Sequence, residues 1–149
     1  MKDLPKRKKL RLENFDYGSK AYYFLTICVK NKENILWKDE QKAENGFSEI
    51  GKIIENEINK IERIYQNVYI DKYVIMPNHI HLILCIEGNE EITVSRIVKQ
   101  FKGSITKIVG FSIWQSSFYD HVIRNQKEYQ EIWKYIDENP IKWELDEYF

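Results

Sequence analysis

The chain of 149 residues is long enough to bury the core of one domain, and its 43% hydrophobic content excludes a disordered protein. Its 23 basic and 23 acidic residues give a formal net charge of zero, so the total charge does not indicate a polyanionic partner. The two cysteines argue against a disulfide framework and are typical of a reducing compartment. We therefore expect one cytoplasmic domain over residues 1–149, with no membrane span.

Charge is distributed unevenly, because residues 1–12 form a basic arm. This arm carries six basic residues and one acidic residue, whereas residues 126–149 carry three basic and seven acidic residues. A local basic patch binds polyanions whatever the total charge is. A nucleic-acid partner therefore remains open, and the alternative is a solvated arm without a partner. The arm residues expected to contact nucleic acid are Lys6, Arg7, Lys8, Lys9 and Arg11.

The predicted elements follow the order β-α-β-β-α-β and end with a further helix. Aromatic and β-branched runs predict the strands, and apolar residues at helical spacing predict the helices. The strands are expected at residues 21–29, 68–76, 79–86 and 111–123, and the helices at residues 48–65, 92–109 and 126–138. This order predicts an α+β, ferredoxin-like fold, in which an antiparallel sheet carries two helices on one face. Its other face is left for a ligand or an added element.

Two histidines stand two residues apart in the third predicted strand, at His79 and His81. Side chains at i and i+2 of a strand share one face, so Ile80 and Leu82 pack on the opposite face. If that apolar side meets the two helices, the imidazoles point to the open face, at a sheet edge that a substrate reaches. Two such imidazoles are a pair of metal ligands. The alternative is two half-buried histidines with local hydrogen bonds.

The last predicted helix carries Tyr135 and Asn139 four residues apart, on one helical face. A tyrosine hydroxyl, with a pKa of about 10, is a weak nucleophile. It becomes effective beside a divalent cation that stabilises the charge developing on a phosphate. Asn139 offers an amide oxygen to such a cation. The alternative is an ordinary helix aromatic followed by a helix terminator before Pro140.

Basic side chains also follow the polar side of the helix predicted at residues 92–109. Their spacing suits contacts along a phosphate backbone, and the alternative is a solvated helix face. The members expected to contact DNA are Arg96, Lys99 and Lys102.

Four sequence blocks carry a resemblance to a known family. They are Tyr73-Val-Ile-Met-Pro-Asn-His-Ile-His-Leu-Ile-Leu, Trp114-Gln, Phe118-Tyr-Asp-His-Val-Ile-Arg124 and Tyr135-Ile-Asp-Glu-Asn-Pro140. Together they resemble the single-tyrosine HUH transposases, and more narrowly their REP-associated tyrosine transposase branch. The resemblance runs over about residues 5–143, with its motifs in order.

The resemblance implies a metal-dependent single-stranded DNA endonuclease and strand transferase. Tyr135 matches the nucleophile, which forms a 5′-phosphotyrosine bond and releases a 3′-OH. His79 and His81 match the metal-binding pair, with Mg²⁺ or Mn²⁺ as the implied cofactor. Asn139 stands where many insertion-sequence relatives carry Gln as a third metal ligand. The shorter Asn side chain fits the REP-associated branch.

The resemblance also implies a partner, namely a single-stranded DNA hairpin, either REP-like or from an insertion-sequence end. The protein would act on it as a monomer or as a homodimer. Arg124 belongs to a matched block and is expected to contact DNA. His121 lies in the same block and is expected to be structural or to contact DNA.

Two other functions remain open at this point. One is a catalytically silent module that binds single-stranded nucleic acid through aromatic side chains on the same sheet. The other is a metal-dependent nuclease that uses water, with Tyr135 as a bystander. Loss or survival of cleavage in Tyr135→Phe distinguishes the tyrosine mechanism from the water mechanism.

Overall fold

The computed structural model describes residues 20–38, 46–88 and 92–140. The strands are β1 (Lys20–Cys28), β2 (Val68–Ile75), β3 (His79–Glu87) and β4 (Tyr119–Ile123), and the helices are α1 (Glu49–Ile64), α2 (Val94–Val109) and α3 (Gln126–Glu138). The four strands form one antiparallel sheet in the order β2-β3-β1-β4. This topology confirms the α+β, ferredoxin-like prediction with an additional C-terminal helix.

Each of the three helices begins at a capping residue. The side chains of Ser48, Thr93 and Asn125 accept hydrogen bonds from the backbone N–H three residues further on, at 2.8 to 3.1 Å. These bonds satisfy donors that lack partners inside the helix. At its other end α2 stops at Gly110, whose φ of 100° is a left-handed conformation that favours glycine.

The histidine strand β3 is an inner strand, so the expectation that the histidines lie at a sheet edge is wrong. β1 and β2 flank β3, and His81 lies opposite Thr26 while His79 lies opposite Cys28. The reason lies in the connections between the strands. The crossover through α1 places β2 one strand position away from β1, and the tight turn at residues 76–78 returns the chain so that β3 pairs between them.

The two faces of β3 belong to two different hydrophobic clusters, as the alternation in the sequence predicts. Ile80, Leu82 and Leu84 pack in the cluster that contains α1 and α2. Ile83 and Cys85, on the histidine side, pack in a second cluster with residues of α3. The histidine face is therefore not open to solvent. Both histidines are fully buried, because α3 covers the face that the two other helices leave uncovered.

Most element boundaries agree with the sequence prediction within two residues, but the fourth strand is shorter than predicted. Only Tyr119–Ile123 pairs with β1, and residues 111–118 form a loop. Within this loop Trp114 makes a single bridge to Val29. The loop is held in place by Lys102, whose Nζ donates to two of its carbonyl groups at 2.8 and 3.1 Å.

Cys28 and Cys85 are buried and not joined in a disulfide, as expected. Of the helices in the described part of the chain, none has the length and apolarity that a membrane crossing requires.

Candidate active site

The two histidine rings lie side by side in the interior. Their centroids are 4.7 Å apart, with an angle of 73° between the ring planes. Asn78 Oδ1 lies 2.6 Å from His79 Nδ1, and Thr26 Oγ1 lies 2.9 Å from His81 Nδ1. Because an amide oxygen only accepts, the Nδ1 of His79 is the donor in this contact, and a ring held in this way presents its Nε2 on the side away from Asn78.

This arrangement fits a divalent cation. Metal-ligating histidines characteristically direct one ring nitrogen to a neighbouring acceptor and the other to the metal. Among residues 20–38, 46–88 and 92–140, no group of three or more His, Cys, Asp or Glu side chains could hold a metal ion. A cation bound by His79 and His81 would therefore need further ligands of another kind, such as an amide oxygen, water or a substrate phosphate.

Asn139 carries the amide oxygen that the sequence predicts as a ligand of this cation. It follows the last residue of α3 and is only 3% exposed, with its Nδ2 buried and without a hydrogen-bond partner. A buried amide donor without an acceptor costs about 1–3 kcal/mol. A half-turn about χ2 exchanges the amide nitrogen and oxygen. The position therefore suits an oxygen ligand at least as well as an N–H donor.

Tyr135 lies against the histidine pair. Its ring centroid is 5.4 Å from that of His81 and 6.1 Å from that of Phe24, which it meets edge-on. Phe24 in turn stacks on His81 at 5.2 Å. The Tyr135 side chain is 36% exposed, in contrast to the fully buried imidazoles beneath it. A substrate in solvent can therefore reach Tyr135 before it reaches the histidines.

Two contacts that the sequence analysis missed hold α3 on the sheet. The Tyr129 hydroxyl donates a hydrogen bond to the carboxylate of Asp71, and both residues are buried. Lys72 Nζ lies 2.7 Å from Asp137 Oδ1 and 4.1 Å from the ring centroid of Trp133. The β2–β3 register shifts between Ile70 and Lys72, which brings both Asp71 and Lys72 to the α3 face. Two adjacent charged residues, Asp71 and Lys72, inside a strand of apolar and aromatic residues were the available signal.

Four of the nine predicted DNA-contacting residues lie in the described part of the chain. Lys6, Arg7, Lys8, Lys9 and Arg11 lie outside the described residues. Arg96 and Lys99 are exposed on α2, which packs on the sheet face opposite the histidines.

Lys102 and Arg124 are the two remaining predicted DNA contacts. Lys102 is half-buried against the 111–118 loop, and this burial lowers the pKa of its ammonium group, an effect that the nearby Cys28 partly offsets. Arg124 is exposed in the turn between β4 and α3.

His121 is linked to the start of the α3 helix. Its Nε2 lies 2.5 Å from a carboxylate oxygen of Glu128, in the first turn of that helix. The other oxygen of Glu128 accepts from the backbone N–H of Arg124 at 2.8 Å. This backbone bond, and to a lesser degree His121, lowers the pKa of Glu128. The contact is consistent with a structural role for His121.

No protein-family model matches the chain. A protein of Haemophilus influenzae, described only as an uncharacterized protein, is 32% identical over 169 aligned positions that cover 96% of this chain and 93% of that protein. A REP-associated tyrosine transposase of Escherichia coli is 28% identical over 122 positions, which cover 80% of this chain and 66% of that protein. The solved structure of a REP-associated tyrosine transposase bound to a REP hairpin superposes with a TM-score of 0.67 and 26% identity, over 86% of this chain and 71% of that one.

These similarities, together with the four-stranded sheet and its additional helix, define the chain as a transposase domain. Within that class the named relatives to which the chain is similar in sequence and in fold are REP-associated tyrosine transposases. The family is the one that the four sequence blocks resemble, and the prediction made from them is confirmed.

Proposed function

We propose that the chain is a metal-dependent single-stranded DNA endonuclease and strand transferase that cuts beside DNA hairpins through a 5′-phosphotyrosine intermediate. One observation carries this proposal: the ring of Tyr135 lies 5.4 Å from the ring of His81. His81 and His79 form a pair of buried imidazoles, and a hydrogen bond to each ring fixes its orientation. Neither a binding module nor a water-using nuclease needs a tyrosine there.

His79, His81 and Asn139 are the residues proposed to hold the metal. When bound, Mg²⁺ or Mn²⁺ supplies positive charge that stabilises the charge developing on the scissile phosphate. Thr26 and Asn78 contribute by fixing the ring orientations, which reduces the reorganisation needed at binding.

Tyr135 is proposed to make the covalent bond. Its phenol oxygen loses its proton to solvent and attacks the scissile phosphorus, and the bond between phosphorus and the 3′ oxygen breaks. That oxygen leaves as a 3′-OH after taking up a proton. The 5′ phosphate remains a phosphodiester on tyrosine, so a 3′-OH can attack it and rejoin the strand without ATP.

The proposed substrate is a DNA hairpin with an adjoining single-stranded segment. Support comes from the similar transposase that was solved with a REP hairpin. Tyr135 contacts His81 of its own chain, so a monomer already contains every residue that the proposal requires. A homodimer that exchanges α3 is the alternative assembly.

The test is a covalent adduct assay. Hairpins taken from the DNA next to the gene are incubated with the protein and Mn²⁺, and a DNA-linked species is sought on a denaturing gel. We expect an adduct with the native protein and none with Tyr135→Phe or without metal. Binding without an adduct would support the silent binding module, and cleavage that survives in Tyr135→Phe would support the water-using nuclease.

A further inference from the structure

Phe24 lies in the candidate active site although it carries no polar group. It belongs to β1, between Tyr22 and Thr26 on the histidine face of the sheet, and its side chain is half-buried. Thr26 is the partner of His81 across the two strands, so Phe24 is a diagonal neighbour of His81, within reach of an aromatic ring. The ring of Phe24 therefore borders the histidine pair.

The ring of Phe24 contacts two of the residues proposed to carry out the reaction. It stacks on the ring of His81, with centroids 5.2 Å apart and an angle of 28° between the planes. It also meets the ring of Tyr135 edge-on, at 6.1 Å and 86°. Since the rings of Tyr135 and His81 are themselves 5.4 Å apart, the three side chains form one closed group, which we call the ring cluster. A change at Phe24 therefore reaches both a proposed metal ligand and the proposed nucleophile.

Phe24 is held by an inner part of the sheet. β1 is flanked by β3 and β4, and Phe24 pairs with Ile83 on the first and with His121 on the second. Tyr135, in contrast, lies near the end of the last helix and is 36% exposed. A residue paired on both sides has a fixed backbone. Its ring is therefore a fixed surface against which a more exposed ring can be oriented.

The two contacts of Phe24 restrict motions that a hydrogen bond leaves free. Thr26 holds one edge of the His81 ring through Nδ1, but a ring held at one atom can still tilt about that bond. The stacked face of Phe24 opposes this tilt. An edge-to-face aromatic pair is likewise favoured over other arrangements, by roughly two- to tenfold in population. The contact with Phe24 therefore favours one direction of the Tyr135 ring, and with it one position of the hydroxyl group.

We propose that Phe24 is a positioning residue for the cleavage reaction. Its ring keeps His81 in the orientation that suits a metal ligand, and it directs the Tyr135 hydroxyl towards the scissile phosphate. Phe24 acts through these two rings and not on the DNA itself. This inference rests on the proposed function, because it concerns the reaction assigned to Tyr135.

The experiment separates positioning from binding and from packing. Adduct formation with saturating Mn²⁺ and a saturating hairpin from the DNA next to the gene is followed over time in a single turnover. Hairpin affinity is measured by fluorescence anisotropy, and Mn²⁺ affinity by isothermal titration calorimetry. Phe24→Leu and Phe24→Met remove the ring but keep most of the apolar volume, so they should fold. Phe24→Tyr keeps an aromatic ring.

Phe47→Leu is the matched control. Phe47 is also a half-buried phenylalanine that packs against the hydrophobic cluster on the histidine side of the sheet. It pairs with Trp37 in an isolated bridge before α1 and lies outside the ring cluster. The substitution therefore removes an equal ring without changing the contacts of Tyr135 and His81.

We expect Phe24→Leu and Phe24→Met to lower the single-turnover rate constant by about 10- to 100-fold, the cost of a misplaced reacting group. Mn²⁺ affinity should fall about tenfold, as it does when other groups that orient a metal ligand are lost. Hairpin affinity should remain native-like. Phe24→Tyr and Phe47→Leu should resemble the native protein in all three measurements.

Three kinetic results would overturn the proposal. One is a native-like rate in Phe24→Leu. Another is an equal fall in Phe47→Leu, because the ring of Phe24 would then contribute only to packing. The third is a loss in Phe24→Leu that Phe24→Tyr does not restore, because an aromatic ring would then not be what the site requires.

A measurement without DNA or metal distinguishes this inference from the proposed function. The nuclear Overhauser effect between ring protons of Tyr135 and His81 reports whether the two rings stay in contact. It should be present in the native protein and in Phe24→Tyr, and lost in Phe24→Leu. Its persistence at native strength in Phe24→Leu would also overturn the proposal. Failure of the native protein to form a tyrosine adduct would contradict the proposed function and leave this ring contact unchanged.

Discussion

The hydroxyl of Tyr129 donates a hydrogen bond to the carboxylate of Asp71, and this bond joins α3 to β2 in the interior of the protein. Asp71 is 2% exposed and Tyr129 is fully buried, with its ring edge-on to Tyr22 at 5.5 Å. A buried carboxylate is unfavourable unless it is paired with donors. The bond therefore favours the arrangement of α3 in which Tyr135 lies beside His81.

Tyr129→Phe should destabilise the protein by about 1–3 kcal/mol, because it removes a donor from a buried carboxylate while keeping the ring. The measurement is urea unfolding followed by circular dichroism. Asp71→Asn is the matched variant. It removes the buried charge but keeps an oxygen that accepts from Tyr129, so its cost should be smaller. Equal stability of Tyr129→Phe and the native protein would contradict the role assigned to this bond.

Asn78→Ala should weaken Mn²⁺ binding by about 10- to 100-fold, because His79 loses the acceptor that fixes its tautomer and orientation. Isothermal titration calorimetry with Mn²⁺ measures this affinity. Asn67→Ala is the control, since the Asn67 side chain makes a hydrogen bond of 2.8 Å as well, but as a donor to the backbone carbonyl of Glu87 at the other end of β3. Native-like Mn²⁺ affinity in Asn78→Ala would exclude this supporting role.

The free energy of unfolding should decrease in acid, partly because Glu128 becomes protonated. The pKa of this carboxyl is held below its ordinary value of 4.5, first by the Arg124 backbone N–H and then by His121. A lowered folded-state pKa stabilises the fold above 4.5, and this contribution disappears as the pH falls through the folded-state value. Glu128→Gln should therefore lose less stability between neutral pH and pH below 4.5 than the native protein does.

Glu131→Gln, which alters an exposed carboxylate of the same helix, serves as the control in these urea titrations. An unchanged acid response in Glu128→Gln would contradict the assignment.

Alanine should have opposite effects at two helical glycines. Gly103→Ala should stabilise the protein by about 0.5–1 kcal/mol, because its methyl group meets open space and alanine favours a helix. Gly51→Ala should destabilise it by about 1–3 kcal/mol, because the methyl group would overlap the Leu36 carbonyl. Thermal unfolding of the two variants provides the comparison, and a shift in the same direction for both would be inconsistent with the packing described.

Local patterns were sufficient for much of the fold. The alternation of Ile80 and Leu82 with His79 and His81 correctly separated the two faces of β3. The short connection between β2 and β3 correctly predicted antiparallel neighbours. These features depend on side-chain period and turn length, which are properties of adjacent residues.

Long-range partners were not predictable in the same way. Asp71 and Tyr129 are 58 positions apart, and no local pattern connects them. The bulge that turns Asp71 towards α3 interrupts the two-residue period on which the strand prediction relied. The covering of the histidine face by α3 likewise depends on tertiary packing. An amphipathic pattern shows that a helix has an apolar side, but not which surface will cover it.

Tyr135 is the residue proposed to form the covalent bond to DNA. Mass spectrometry of the peptides from a protein–hairpin reaction identifies the residue that carries this bond. After nuclease digestion, we expect the peptide containing Tyr135 to carry one nucleotide 5′-phosphate, and we expect this modification to be absent in Tyr135→Phe and in His81→Ala. A nucleotide attached to a different tyrosine, or cleaved DNA with an unmodified Tyr135 peptide, would exclude Tyr135 as the nucleophile.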